Sequence, residues 1–119
     1  MKQSVTILLL CCSMQIAVAQ FSYVNPVPGS KYHNPQANII LKNGALLDRS
    51  SVAEKGLIEI SGSLSGKHTW VARLAEDNKT VIIQPDIVFE YGEIVTVKVN
   101  AVLRKQQGQT VEGTVFSFE

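Results

Sequence analysis

After its N-terminal segment, the chain consists of short apolar runs that are rich in β-branched residues. Turn residues separate these runs about every 8–12 positions. In residues 94–100 valines alternate with polar residues, and residues 114–118 place Phe116 and Phe118 on one face. A period of two is typical of a half-buried β-strand, because successive side chains point to opposite faces. The pattern therefore predicts an all-β domain in which two such sheets pack as a sandwich.

The connections between the predicted strands carry their own signals. The clearest hairpin has the polar residues 76–79 at its turn. Residues 48–51 are predicted as a helical turn in which Asp48 accepts hydrogen bonds from the following backbone amides. The serine- and glycine-rich residues 61–66 are predicted as a flexible loop. The predicted strands are residues 21–24, 38–42, 57–61, 69–74, 80–84, 94–100 and 114–118.

Trp70 shares a predicted strand face with Ala72 and Leu74. This alternation favours a core position for its indole ring, packed against the opposite sheet. The alternative is an exposed ring that stacks on a sugar.

The N-terminal segment, residues 1–19, has the features of a secretory signal peptide. Lys2 supplies the positive charge, an apolar run covers residues 5–14, and Ala17-Val18-Ala19 fits a cleavage site before Gln20. The apolar run is shorter than the roughly 20 residues that a membrane-spanning helix needs. We therefore expect residues 20–119 to form the exported domain, with no transmembrane segment after cleavage.

Cys11 and Cys12 leave open a lipoprotein signal as an alternative, although Leu9 and Leu10 stand where its peptidase prefers small residues. Cleavage before Gln20 removes both cysteines, so the exported domain would have no disulfide and no thiolate metal site. Its stability must then come from core packing, for which about 100 residues suffice.

The charge of the chain argues against polyanionic partners. The chain has 11 basic and 10 acidic side chains, and loss of Lys2 with the signal peptide would leave none in excess. The charges are scattered, and Arg104-Lys105 is the only adjacent basic pair. Because nucleic acids and anionic membranes require a basic stripe or patch, neither is predicted as a partner.

The histidines and serines indicate no catalytic or metal chemistry. His33 and His68 are the only histidines, and no second histidine or cysteine lies at ligand spacing from either. His68, at a strand start, is expected to be exposed to solvent. No Gly-x-Ser-x-Gly motif occurs, and no histidine is placed to activate a serine.

The acidic residues give the same result, because they fall at predicted turns, where carboxylates cap backbone amides or stay in water. We therefore predict that the chain is not an enzyme, with no catalytic, cofactor-binding or metal-binding residue and no cofactor. The acidic residues concerned are Glu76, Asp77, Asp86, Glu90 and Glu93.

In their order and spacing, several motifs resemble bacterial Ig-like domains of the SbsA/Big_5 type. Leu47 departs from the pattern, because many such domains have proline there. The motifs are FSYVNPVPGS at residues 21–30, IIL at 39–41, LDRSSV at 47–52, DNKTVIIQP at 77–85 and FEYGEIVTV at 89–97.

The resemblance implies an immunoglobulin-like β-sandwich of about seven strands on a secreted or cell-surface protein, usually as a spacer or accessory module. The signal peptide ending in Ala-Gln is similar to those of Bacteroidetes. Because the sequence stops directly after the last predicted strand, we expect it to be either the N-terminal fragment of a larger protein or an unusually short protein.

The leading expectation for function is a structural, spacer or interaction module, located in the periplasm, at the cell surface or outside the cell. Its partner would be a neighbouring domain of the same polypeptide, or an extracellular protein or glycan. The alternative is a carbohydrate- or protein-binding module that uses exposed aromatic residues. Tyr32 and Tyr91 are the predicted ligand contacts, with Tyr23 as a further exposed aromatic residue. Tyr91 could instead hydrogen-bond across its turn, as in a tyrosine corner.

Overall fold

The computed structural model describes residues 21–119, so the predicted signal peptide with Cys11 and Cys12 lies outside the described residues. Eight strands and one helix make up the described part. They are β1 (Phe21–Asn25), β2 (Ile39–Asn43), α1 (Arg49–Val52), β3 (Ile58–Gly62), β4 (Gly66–His68), β5 (Trp70–Leu74), β6 (Thr80–Pro85), β7 (Val95–Val99) and β8 (Thr114–Phe118).

The strands form two antiparallel four-stranded sheets, with the orders β1-β2-β6-β5 and β4-β3-β7-β8. This confirms the predicted Ig-like sandwich, with one strand more than the seven predicted. The additional strand is β4, whose three residues Gly-Lys-His carry no apolar alternation. It forms because its backbone pairs with β3, from Ile60↔His68 to Gly62↔Gly66.

The core lies between the inner faces of the two sheets, where the predicted alternation is confirmed. Val95, Val97 and Val99 of β7 are buried, and so are Phe116 and Phe118 of β8. Burial of such side chains supplies the main favourable free energy of folding. The opposite sheet contributes Ile39, Leu41, Val81 and Ile83, all with no exposed surface.

Trp70 packs against this core but is only partly buried, as is Ala72, whereas Leu74 is buried. Its indole Nε1 donates to the backbone oxygen of Ile58, at 3.0 Å. The short strand β4 pairs with β3 only from Ile60 onward, so the Ile58 carbonyl faces an open edge that the indole fills. Trp70 therefore bridges the two sheets at their open side, which agrees with a structural role.

The two ends of the sandwich have different connections. One end, here called the loop end, consists of residues 26–38, 63–65 and 86–94. Its segments are joined by hydrogen bonds: the Phe89 amide donates to the Pro35 oxygen at 3.0 Å, and the His33 amide donates to the Glu119 oxygen at 3.2 Å. The other, the helix end, has residues 44–57, 75–79 and 100–113. Strand β1 begins at the helix end, and β8 ends at the loop end.

The two turns predicted at the helix end are confirmed. Asp48 is the N-cap of α1 and accepts from the Ser50 amide at 3.3 Å. Asp77 accepts from the amides of Lys79 and Thr80, at 2.9 and 3.0 Å, and so closes the β5–β6 hairpin. Hydrogen bonds from Ser50 lower the pKa of Asp48, and those from Lys79 and Thr80 lower the pKa of Asp77.

Candidate functional site

Tyr32 and Tyr91, which are 59 positions apart in the sequence, line one cleft of about 530 Å³ at the loop end. Tyr32 is 94% exposed and Tyr91 is 86% exposed. Exposed aromatic rings are suited to stacking on a ligand, since they offer apolar area with a polar hydroxyl at the tip. Their contact with a ligand remains a prediction. The cleft is completed by His33, Asn34, Pro35, Gly92 and Glu119.

The segment that carries Tyr32 is held against the end of β8. Tyr32 itself has a left-handed backbone conformation, with φ of 65°, which non-glycine residues rarely adopt. On either side of it, the Glu119 amide donates to the Ser30 oxygen at 2.9 Å and the His33 amide donates to the Glu119 oxygen. The His33 ring meets Phe118 edge-on, with centroids 5.6 Å apart. These contacts fix the backbone from which the Tyr32 side chain projects.

Tyr91 lies at the tip of a turn between Glu90 and Glu93. The Glu93 amide donates to the Glu90 oxygen at 3.4 Å, and Gly92 takes a left-handed φ of 71°. The Glu93 carboxylate also accepts from the Glu90 amide. At 86% exposure, the Tyr91 ring is too exposed for the tyrosine corner considered above.

Glu93 is the buried centre of the loop end, with 2% of its surface exposed. Its Oε1 accepts from the amides of Leu64 and Ser65, both at 2.9 Å, and Ser65 Oγ donates to Oε2 at 2.8 Å. Burial raises the pKa of Glu93, but hydrogen bonds from Ser65, Glu90 and Leu64 outweigh it and lower the pKa to about 2. A Cβ at position 62 would lie 2.0 Å from Oε1, so only glycine fits beside this carboxylate.

His68 corrects the prediction that it is exposed, because only 9% of its surface is accessible. Its Nε2 lies 2.6 Å from Ser65 Oγ, and its Nδ1 lies 3.1 Å from the Ile87 oxygen. Its ring packs on Phe89 with centroids 4.7 Å apart. Both histidines therefore lie beside a serine, since His33 Nε2 is 2.5 Å from Ser30 Oγ, and the sequence predicted neither contact.

Residues 61–66, predicted as a flexible loop between strands, contain the end of β3, a turn at residues 63–65 and the start of β4. The turn is tied to a distant segment, because the Ser63 amide donates to the Ile94 oxygen at 2.8 Å and the Leu64 amide donates to Glu93. Composition alone indicated flexibility, but the carboxylate that binds the turn comes from a distant segment.

Ser65, His68 and Glu93 are three residue types that occur in catalytic triads, but they are connected in a different order. In a triad the carboxylate orients the histidine and the histidine activates the serine. Here the serine lies between the other two, and His68 Nδ1 faces a backbone oxygen. The amides of Leu64 and Ser65, which could otherwise stabilise an oxyanion, are bound to Glu93. The arrangement is suited to holding loops together.

Two features are absent from residues 21–119. No group of three or more histidine, cysteine or acidic side chains that could hold a metal ion occurs among them. In the same range, no helix is long and apolar enough to cross a membrane.

Comparison with known proteins gives likeness at the level of structure. No family model and no curated protein matches the sequence. Residues covering 70% of the chain match 12% of surface layer protein SbsC, domains 1–6, at 15% identity and a TM-score of 0.59. A second structure, of S-layer protein rSbsC(31-844), matches over 82% of this chain and 13% of its own, at 15% identity and a TM-score of 0.60.

CopC from Methylosinus trichosporium OB3b matches over 82% of this chain and 88% of its own, at 14% identity and a TM-score of 0.55. The chain therefore spans a small part of the surface-layer proteins and most of the length of CopC. At these identities the likeness shows a shared β-sandwich fold, and fold alone does not establish a function.

Proposed function

We propose that residues 20–119 form a non-catalytic Ig-like module of an exported bacterial protein, acting as a spacer or interaction domain. The observation that carries this proposal is the path of the chain: β1 begins at the helix end and β8 ends at the loop end. A module traversed from end to end separates whatever precedes it from whatever follows it. The match to about an eighth of a multidomain surface-layer chain supports the same role.

The non-catalytic character is supported by the loop end. Ser65 and His68 form the serine–histidine pair that also contacts a carboxylate, but both are engaged in the hydrogen bonds that hold the β3–β4 turn to residues 87–93. The amides beside Ser65 are bound to a carboxylate. This cluster explains the loop conformations without any chemistry on a substrate.

Membership of the SbsA/Big_5 type, origin in Bacteroidetes and export are parts of the proposal that depend on the sequence motifs and signal peptide. Intact-mass measurement of the secreted product tests export: we expect a mature form that begins at Gln20 and carries no lipid. A form that begins at Cys11 or Cys12 and carries an acyl group would contradict cleavage before Gln20 and would indicate a lipid-anchored protein.

Single-molecule pulling tests the spacer role. Force applied between Phe21 and Glu119 runs along β1 and β8, so all hydrogen bonds of each strand must break together. Attachment at Phe21 and Gln107, both at the helix end, peels β1 from its start and serves as the matched control. We expect clearly higher rupture forces in the first geometry, and equal low forces would contradict a spacer that resists force along its length.

A second candidate function, binding of a glycan or protein, is favoured by the shared cleft of Tyr32 and Tyr91. A glycan array followed by titration calorimetry tests it on the wild-type domain. We expect Tyr32→Ala and Tyr91→Ala to weaken binding at least tenfold, since stacking on an aromatic ring can contribute about 1.4 kcal/mol. Tyr23→Ala is the control, because Tyr23 is 52% exposed but lies outside the cleft. Equal loss in all three variants, or no bound glycan or protein, would exclude the cleft as the binding site.

A further inference from the structure

The sandwich has four edge strands, and three of them are protected against pairing with another chain. The edge of β8 is covered by residues 29–33, since the Gly29 amide donates to the Ser117 oxygen at 2.7 Å and the Glu119 amide to that of Ser30. Strand β4 has only three residues. Strand β1 has an irregular register between Phe21 and Tyr23. Strand β5 differs from these three, because its five residues pair with β6 in regular register and, although α1 packs against β5, a groove remains between its residues and those of α1.

The pairing of β5 with β6 determines which of its backbone groups face outward. The Asp86 amide donates to the Thr69 oxygen at 2.9 Å, and the Ala75 amide to the Thr80 oxygen at 2.8 Å. In an antiparallel pair, hydrogen-bonded positions alternate with non-hydrogen-bonded ones. Odd-numbered residues of β5 therefore bond to β6, and Trp70, Ala72 and Leu74 direct their N–H and C=O groups to the outer edge. Ala72 has no hydrogen-bond partner for these groups within residues 21–119.

A groove of about 450 Å³ runs beside this outer edge, with residues of α1 and its C-terminal extension on its far side. Val52, Trp70, Val71 and Ala72 contribute apolar surface to its lining, and Val71 is 65% exposed. Lys55 and His68 are the ionisable side chains that line it, and none of its lining residues is acidic. The groove therefore combines an unpaired strand edge with a cationic side chain.

We propose that the β5 edge and this groove bind an extended segment of a partner polypeptide that carries a carboxylate side chain. The segment adds as a fifth strand, and its backbone pairs with the outward N–H and C=O groups of Ala72. Side chains on its inner face pack on the exposed part of Trp70, and its carboxylate lies near Lys55. This site is separate from the Tyr32–Tyr91 cleft, because the two share no lining residue.

Amide hydrogen exchange and a peptide titration, both followed by NMR on residues 20–119, test the proposal. In the free domain we expect the Ala72 amide to exchange rapidly while those of Val71 and Arg73 are protected. The probe is a capped seven-residue peptide that alternates threonine and valine, with one central glutamate. It should protect the Ala72 amide and shift the resonances of Trp70 and Lys55. The same peptide with a central lysine should bind about two- to fivefold more weakly, as for exposed ion pairs.

Two variants make the test specific. Ala72→Pro removes the outward N–H at a position where an edge strand tolerates proline, so it should abolish peptide binding, whereas Ala72→Ser keeps the N–H and should retain it. Lys55→Glu should make the domain bind the lysine peptide more tightly than the glutamate peptide. Because position 55 lies outside β5, this variant leaves the strand itself unchanged. A protected Ala72 amide in the free domain, or resonance shifts only around Tyr91, would overturn the proposal. Concentration-dependent dimerisation through β5 would overturn it in favour of a second copy as the occupant.

Discussion

At the helix end, Asp48 and Asp77 accept hydrogen bonds from amides two or three residues further along the chain. At the loop end, by contrast, Glu93 accepts hydrogen bonds from the amides of Leu64 and Ser65, which are 29 and 28 residues away in the sequence. The first two carboxylates shape one turn each. Glu93 connects the β3–β4 turn to the turn that carries Tyr91. The same chemical group thus serves local turn formation at one end and the assembly of separate segments at the other.

The carboxylates at the two ends also differ in burial, and therefore in the free energy that is lost when their hydrogen bonds break. Water can replace the hydrogen bonds of Asp77, which lies on the surface, but it cannot easily replace those of Glu93, which is 2% exposed. A buried donor that loses its acceptor costs the full desolvation penalty. Disruption should therefore be costly at the loop end and tolerated at the helix end.

The largest effect is expected for Glu93→Ala, which leaves the amides of Leu64, Ser65 and Glu90 without their acceptor. At about 1–3 kcal/mol for each buried unsatisfied group, partial relaxation still leaves a loss of about 3–5 kcal/mol. Domains of this kind have about 5–15 kcal/mol in total. Urea denaturation measures the change, with Glu90→Ala, at an exposed side chain, as the control. Equal midpoints for the two variants would mean that the Glu93 carboxylate is not a structural centre.

Acid should weaken the loop end through the same residue. Because the pKa of Glu93 is about 2 when folded and near 4.5 when unfolded, the unfolded chain binds the proton more readily. The contribution to stability is complete above about pH 4.5 and is lost as pH falls to about 2, a change of about 3 kcal/mol. The free energy of unfolding, measured in urea from pH 6 to pH 2, should fall less steeply in Glu93→Gln. Parallel pH curves for the two proteins would contradict this assignment.

Ser51→Ala tests how much a link between distant segments stabilises the helix end. Ser51 is fully buried; its Oγ donates to the Asp48 oxygen at 2.7 Å and accepts from the Arg104 amide at 3.0 Å. Loss of this neutral pair should cost about 1–2 kcal/mol in thermal or urea unfolding. Ser50→Ala, at an exposed position of the same helix, should cost less. A loss as large as that of Glu93→Ala would remove the contrast between the ends.

Asp77→Ala should have the smallest effect, because solvent can reach the amides of Lys79 and Thr80 once the carboxylate is gone. We expect a slight decrease in melting temperature, together with faster hydrogen exchange confined to the β5–β6 turn. Asp77→Asn keeps an acceptor oxygen and should exchange more slowly than Asp77→Ala. Faster exchange that spreads to the loop end would show that the two ends are coupled.

What could be predicted from the sequence follows the same division. Alternation identified the buried faces of β7 and β8, and the side chain of Asp48 identified the capped turn, because each depends on residues a few positions apart. The exposure assigned to His68 was wrong, because its burial depends on Phe89 and the Ile87 oxygen, which belong to another segment. Glu93 fell within the turn acids expected to cap amides, but nothing in its neighbourhood identified the amides of Leu64 and Ser65 as its donors.

The sequence by itself determined that this protein has an all-β sandwich with a given set of inward faces, since a two-residue period leaves one choice of face for each strand. The tertiary structure decided that Tyr32 and Tyr91 line one cleft, that Trp70 closes the gap beside β3, and that β5 keeps an unpaired edge. Each of these depends on which strands become neighbours and how far each one extends. Local patterns carry no record of those distances, because contacts between segments tens of residues apart are made only when the two sheets assemble.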